Sequence, residues 1–406
     1  MRKWLQLALG ILTAVGGFFD MGAMATSLQA GANFRFQLLW AVLLATLLVI
    51  FLVEMSGRFA AVTRMALPDA IRDHFGFNFW LVPFVVLTLS QFLVLATEIG
   101  GICFALHLVS GLPTSFWALP VAVLTWLFLW RSTFGTIENS TSLLGLITLA
   151  FVVAAFLHHP PAGEVLAGMV PSLPNQDPEK YWAIAVSIMG AVLSPYLFYF
   201  YSSGAVEDNW DPSYVRVNRG IAAIGMGFGG AIALGGVVVA AMVLAPRGIQ
   251  VDDYHQAAMM LTEAFPFWGF VLFAVSMGIA CLGAALEVSL AMAYATAQTF
   301  GWNWGESLDP REDARFCMVY TGAILLASLV ILVGVDPLKL TILAMASEAA
   351  VLPFVALPFL LLMNDRKLLK ENANGWISNT IAVLVLLLSL VLTVVSIPLA
   401  LIGGGG

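Results

Sequence analysis

Residues 190–197 read Gly190-Ala191-Val192-Leu193-Ser194-Pro195-Tyr196-Leu197 and lie in the middle of a long apolar segment. Proline has no N–H to donate to the carbonyl one turn earlier, so a helix that reaches Pro195 should break there. Inside a membrane, unwound backbone is tolerated only where it is buried in protein or lines a cavity, and there its carbonyls can coordinate a cation. The stretch therefore predicts a broken membrane helix with a binding site at the break.

The composition indicates an integral membrane protein. Of the 406 residues, 61% are hydrophobic and 10% are charged, whereas about 25% are charged in an ordinary soluble domain. Hydropathy and helix-breaking residues predict eleven spans, centred near residues 15, 49, 93, 122, 148, 192, 232, 282, 324, 352 and 389. The net charge of −7 and the absence of a polybasic tail exclude nucleic acid as a partner. Three cysteines in or beside apolar runs are expected to be core residues: Cys103, Cys281 and Cys317.

The positions of the basic residues indicate how the chain is oriented. If the N-terminus is cytoplasmic, thirteen of the seventeen Lys and Arg residues fall on the cytoplasmic side. These are Arg2, Lys3, Arg58, Arg64, Arg72, Arg131, Arg216, Arg219, Arg311, Arg315, Arg366, Lys367 and Lys370. We therefore expect a multi-pass protein of the plasma (inner) membrane, with its N-terminus inside and its C-terminus outside.

Span one is interrupted in the same way as span six. Asp20 lies among several glycines of the first apolar run, and an aspartate at the centre of a membrane helix costs about 2.5–3.5 kcal/mol on insertion scales. The two breaks occupy corresponding places in spans 1–5 and 6–10, which predicts an inverted repeat with the site at the midplane. We expect one transporter domain over 1–406, with repeats at about 1–160 and 178–364 and an eleventh span at about 375–402. A proline kink and a buried aspartate without a transport role are the alternative.

Motifs along nearly the whole chain match one known family. Asp20-Met21-Gly22-Ala23 falls where that family has Asp-Pro-Gly-Asn, and Ala96-Thr97-Glu98 is similar to the Ala-Thr-Asp of its third span. Further similar stretches are Leu28–Ala32, Glu54–Arg58, Gly163–Pro174, Leu352–Phe354 and Asp365–Leu368. The chain resembles the Nramp family (natural resistance-associated macrophage proteins), which are divalent metal transporters. The resemblance implies an all-α membrane protein with a LeuT-type inverted repeat plus an eleventh helix, a transported divalent cation and no other cofactor. We expect a monomer.

The resemblance also implies which residues bind the metal. At several of these positions the chain differs from the family. Asp20 and the carbonyl of Ala191 carry over, whereas the family's Asn, Met and His are replaced by Ala23, Ser194 and Tyr196. A thioether favours soft transition metals, while carboxylate, carbonyl, hydroxyl and water suit hard cations. We therefore expect Asp20, Ala191 and Ser194 to bind a hard or partly hydrated ion, Mg²⁺ or Mn²⁺. The altered site is compatible with a related branch of magnesium transporters.

The groups that carry protons in this family are depleted. Of the two span-three acids, Glu98 stands for one and Gly101 replaces the other, while a tyrosine hydroxyl at position 196 is a poor proton relay at neutral pH. Asp20 and Glu98 remain without a visible relay between them. The sequence therefore predicts metal transport with weak or absent proton coupling.

Two intramembrane acids have no counterpart in the family. Glu287 of span eight and Glu348 of span ten are functional candidates, since acids inside a membrane are expensive. Either can supply a second carboxylate to the site or pair with other groups in the bundle, and the sequence leaves both roles open.

Other functions remain open or are excluded by the motifs. A LeuT-fold carrier of a small organic solute is the alternative, with Phe18, Phe19, Tyr199 and Tyr201 lining its cavity. The sequence also does not exclude that the protein is a channel. The sequence contains no His-Glu-x-x-His motif and no nucleophile-base set, so we do not expect an enzyme.

Overall fold

The computed structural model describes residues 20–131, 145–174, 176–250, 254–305 and 313–403. Within these ranges all regular secondary structure is helical. Eight of the described helical segments are long and apolar enough to cross a membrane, and Leu146–Leu157 and Trp376–Val391 are shorter apolar segments. The residues before Asp20, where the centre of span one is predicted, lie outside the described ranges.

The helices follow the order of the predicted spans. Spans one to five contain Met21–Phe34, Leu39–Thr63, Phe77–Ser110, Thr114–Arg131 and Leu149–Leu157. Span six consists of Pro178–Val192 and Pro195–Glu207, and spans seven to eleven are Val215–Val243, Gly269–Phe300, Ala314–Leu332, Pro337–Leu362 and Trp376–Gly403. Short helices connect them at Leu67–Phe75, Ala162–Gly168, Tyr254–Ala257, Met259–Ala264 and Arg366–Leu369.

Span three makes extensive contacts with other spans. It packs along span eight and span ten, while span seven packs against spans one and two. Span eleven lies on the outside of span ten. Large hydrophobic side chains on the outward faces are exposed, among them Leu89, Val123 and Val391. Such faces fit a lipid environment, since lipid tails are as apolar as these side chains.

A buried ion pair holds the end of span two. Arg58 is 5% exposed, and its Nε lies 3.0 Å from Oε1 of Glu54, one turn earlier. The guanidinium also donates to the carbonyl of Asn372 and, at 2.9 Å, to Oδ1 of Asn374 in the connector before span eleven. Glu54 and Arg58 are four residues apart, the spacing at which side chains of one helix face each other. The cysteines at 103, 281 and 317 are free and buried, as predicted.

Candidate metal centre

The predicted break of span six is present in the structure. Its first helix ends at Val192, and the second begins at Pro195. Ser194, which precedes the second helix, has extended backbone angles of φ −50° and ψ 123°. The carbonyl of Ala191 would receive its helical hydrogen bond from residue 195, and proline has no N–H to donate. The break therefore frees the Ala191 carbonyl from the helical ladder at a position where Ala191 is 3% exposed.

Asp20 caps the described helix of span one. Its Oδ1 accepts a hydrogen bond of 2.7 Å from the backbone N–H of Ala23, and the side chain is almost fully buried. A carboxylate at this position satisfies one of the N–H groups that a helix N-terminus leaves unpaired. The cap uses one of the two carboxylate oxygens. Asp20 and Ala23, both predicted site residues, are therefore brought together at the start of this helix.

Glu98 of span three lies against the same helix start. Both of its carboxylate oxygens are 3.2 Å from the backbone nitrogen of Met21, the residue next to Asp20. Glu98 is fully buried. The sequence showed no relay between Asp20 and Glu98. In the structure, Glu98 contacts the residue that follows Asp20. The physical reason for this contact is that the N–H groups at a helix N-terminus attract negative charge. The sequence alone does not show that span three packs against this helix start.

Glu348 of span ten connects two other spans. Its carboxylate accepts hydrogen bonds from the hydroxyls of Ser90 in span three and Ser194 at the break of span six. All three side chains are buried. Of the roles left open for Glu348, the structure provides a hydrogen-bonded contact with Ser194, one of the predicted metal ligands.

Met345 of span ten lies close to Gly22 of span one and to Gly190 of span six, and the sequence did not indicate it. A β-carbon at Gly22 of span one would lie 2.2 Å from Sδ of Met345. A β-carbon at Gly190 of span six would lie 2.4 Å from the Met345 carbonyl oxygen. Met345 precedes Glu348 by three residues, so one face of span ten meets the described helix of span one and the break of span six. A glycine at each break is the signal that could have indicated this close approach.

Sulfur atoms occupy the position where the family has its second span-three acid. A β-carbon at Gly101 would lie 2.5 Å from Sγ of Cys281 and 3.0 Å from Sδ of Met21. These two sulfur atoms are 3.8 Å apart. Cys281 is a core residue, as predicted, but it also contacts the residue that follows Asp20. An acidic side chain at position 101 would collide with this pair.

The remaining predicted candidates lie in the same bundle. Tyr196 is fully buried in the first turn of the second helix of span six, and Glu287 is 7% exposed in span eight. Of the candidates for an organic cavity, Tyr199 donates to the carbonyl of Val355 at 2.9 Å, and Tyr201 to Oδ1 of Asn218 at 3.0 Å. Phe18 and Phe19 lie outside the described residues.

Comparison with known proteins identifies the family. The Nramp model, described as natural resistance-associated macrophage protein-like, matches residues 10–398. The chain belongs to the Nramp family. It is 25% identical over 399 residues to the divalent metal cation transporter MntH of Caldanaerobacter subterraneus subsp. tengcongensis, which covers 95% of this chain and 91% of that relative. It is 27% identical over 376 residues to the divalent metal cation transporter MntH of Deinococcus radiodurans, and this match covers 89% of this chain and 82% of that relative. This membership confirms the expected transporter class and argues against an enzyme.

Solved structures of low sequence identity share the fold. A variant of the Eremococcus coleocola manganese transporter superposes with a TM-score of 0.84 at 18% identity, covering 98% of this chain and 87% of that one. MhsT in complex with L-phenylalanine superposes with a TM-score of 0.67 at 15% identity. This match covers 97% of this chain and 98% of that one. The predicted all-α LeuT-type membrane fold is confirmed.

Proposed function

We propose that this Nramp protein carries a divalent metal cation across the membrane by alternating access, with the ion held between the breaks of spans one and six. The single observation that supports this best is the contact of span ten with the described helix of span one and the break of span six through Met345 and Glu348. Span ten thus contacts the helix that Asp20 caps and the residue before Ala191, whose carbonyl the break frees. Helix ends and unwound carbonyls of this kind coordinate cations in transporters with inverted repeats.

The transported ion in this proposal is Mn²⁺ or Mg²⁺. Oxygen donors from Asp20, Ala191 and Ser194 suit either ion. The thioether of Met345 lies against Gly22 and adds a softer donor beside the site, which favours Mn²⁺ over Mg²⁺. The name of the Eremococcus coleocola relative, a manganese transporter, points in the same direction.

The site residues are enclosed by protein on all sides. Asp20, Glu98, Ser194 and Glu348 are each at most 2% exposed. A cation can reach such a site only if the bundle opens, first to one side and then to the other. This enclosure supports alternating access and argues against a continuously open channel.

Proton coupling is weak in this proposal. Glu98 binds the backbone N–H of Met21, the residue next to Asp20, but the Met21 and Cys281 sulfur atoms fill the space where the family has its second span-three acid. Tyr196 replaces the histidine of the family. A proton held by Asp20 or Glu98 therefore has fewer groups to which it can be passed.

We also propose the placement of the domain in the membrane. The N-terminus is cytoplasmic and the C-terminus is outside, because the basic residues concentrate on one side of the spans. The repeats extend over about 1–160 and 178–364, the protein acts in the plasma membrane, and one chain is sufficient for transport.

An uptake panel in proteoliposomes tests the proposal. Radioactive or dye-reported Mn²⁺, Mg²⁺ and Cd²⁺ are compared with a panel of amino acids and organic cations. We expect saturable uptake of divalent cations and none of the organic solutes. Because the hydroxyls of Tyr199 and Tyr201 bind protein groups, we do not expect them to line a solute cavity. Uptake of an organic solute without any metal flux would refute the proposal.

A further inference from the structure

Two histidines from distant parts of the sequence meet beyond the end of the bundle. Nε2 of His107 lies 3.2 Å from Nε2 of His255, although 148 positions separate the residues. His107 lies in the last turn of span three, and His255 lies in the short helix Tyr254–Ala257 between spans seven and eight. Neither residue takes part in the contacts described at the helix breaks.

The tautomer of His107 is fixed by its second ring nitrogen. Nδ1 lies 2.6 Å from the carbonyl oxygen of Leu112. A carbonyl only accepts hydrogen bonds, so Nδ1 carries the proton and Nε2 presents its lone pair toward His255. Metal-binding histidines commonly have this arrangement, in which a backbone carbonyl orients the ring through the nitrogen that does not bind the ion.

The spacing of the two nitrogens fits a shared metal ion. Zn²⁺ binds imidazole nitrogen at about 2.0–2.1 Å, so two ligands of a tetrahedral ion lie about 3.3 Å apart. The rings are nearly perpendicular, at 89°, with centroids 5.1 Å apart. Phe104 packs against both of them, with centroid distances of 5.6 Å and 5.0 Å. This buried phenylalanine packs against both rings and supports their relative orientation.

We propose that His107 and His255 form a second metal site, for a divalent transition metal such as Zn²⁺, separate from the transport site. Imidazole ligands suit Zn²⁺, Ni²⁺ and Cu²⁺ and do not suit Mg²⁺. A bound ion ties the end of span three, the helix that carries Glu98, to the connector between spans seven and eight. Zn²⁺ bound here therefore restrains the opening of the bundle and inhibits transport without entering the transport site.

Zinc binding to the purified full-length chain tests the site directly. The Asp20→Ala variant serves as the parent, so that the transport site does not contribute, and Zn²⁺ is titrated by isothermal calorimetry. We expect one Zn²⁺ per chain, with affinity at least about tenfold weaker when either His107→Gln or His255→Gln is added. His159→Gln, at an exposed histidine after span five, is the matched control and should leave the affinity unchanged.

Two results would overturn the proposal. One is Zn²⁺ affinity that is unaltered in a folded His107→Gln or His255→Gln variant, and the other is equal weakening in His159→Gln. The two pair variants are checked by gel filtration, and either one that folds decides the outcome. In transport, measured with His107→Gln or His255→Gln alone in the otherwise wild-type chain, the Zn²⁺ concentration for half inhibition of each variant's own uptake should rise at least about tenfold. Because binding is measured without transport, the result is independent of the function proposed for the helix breaks.

Discussion

The hydroxyl of Ser194 donates a hydrogen bond to the carboxylate of Glu348, which joins the break of span six to span ten. Ser90 of span three donates to the other oxygen of the same carboxylate. Three spans thus meet at one buried group. The position of Ser194, and with it the carbonyl of Ala191 three residues earlier, therefore depends on Glu348.

Replacement of Glu348 by glutamine should lower metal uptake about tenfold. An amide has one acceptor oxygen in place of two, so one of the two serine hydroxyls loses its acceptor and the break becomes less well fixed. Initial rates of Mn²⁺ uptake in proteoliposomes provide the measurement. Glu164→Gln, at a side chain 54% exposed, is the matched control. Wild-type rates in Glu348→Gln would show that this contact does not position the site.

Met345→Leu should shift selectivity toward hard cations. Leucine keeps the bulk between Gly22 and Gly190 but removes the thioether that lies against Gly22. We expect the preference for Cd²⁺ over Mg²⁺ to fall about tenfold, since thioethers favour soft metals. Competition of each ion with Mn²⁺ uptake measures the preference.

The control for this variant is Met318→Leu, on the surface of span nine and 72% exposed. It should leave the selectivity unchanged. An unaltered Cd²⁺ preference in Met345→Leu would mean that the sulfur does not reach the ion and that Met345 only fills space.

Metal uptake should proceed with little accompanying proton flow. Gly101 and Tyr196 stand where the family has a second acid and a histidine, and sulfur atoms close the space at Gly101. A pH dye inside proteoliposomes reports acidification while Mn²⁺ enters, and we expect far less than one proton per ion. Stoichiometric acidification that disappears in Glu98→Gln would contradict the weak coupling.

Asp69, in the connecting helix Leu67–Phe75, should make stability depend on pH. Burial raises the pKa of this carboxyl to about 6 from the ordinary 3.8, although Arg72 lies 3.2 Å away and opposes the shift. Because the folded-state pKa is the higher one, the stability from protonated Asp69 is full below about pH 4 and is lost as the pH rises through about 6.

Asp69→Asn should therefore raise the thermal unfolding temperature in detergent at pH 7.5, with no difference from the wild type near pH 3.5. Asp73→Asn, four residues later and 53% exposed, is the control. A lower unfolding temperature of Asp69→Asn at pH 7.5 would show that the ion pair with Arg72 outweighs the burial.

Much of the fold could be predicted from the sequence because membrane helices depend on local patterns. Apolar runs indicate the spans, and Pro195 is sufficient to predict the break of span six, since its missing N–H acts on the same helix. The i+4 pair of Glu54 and Arg58 is equally local. In each case the interacting residues are close in the sequence, so no tertiary information is needed.

The contacts around the breaks could not be predicted in this way. Glu98 meets Met21 across 77 positions, and Ser194 meets Glu348 across 154. Met345 was not predicted, because comparison with the family considers only the residue that stands at the sequence position of each lost ligand. Span ten brings its thioether against Gly22 from another helix, a contact that a position-by-position comparison does not detect.

Uptake of Mn²⁺ by the Asp20→Ala variant tests the central claim most directly. Asp20 is the predicted ligand that is charged, buried at the start of the described helix of span one and shared with the family. Wild type and variant are reconstituted at equal amounts, with gel filtration to show that both are folded, and initial uptake rates are measured over a range of Mn²⁺ concentrations. Loss of a metal ligand should cost at least as much as loss of a group that only orients one, so we predict a fall of about 100-fold or more. Wild-type uptake by a well-folded Asp20→Ala variant would contradict a cation site at the helix breaks.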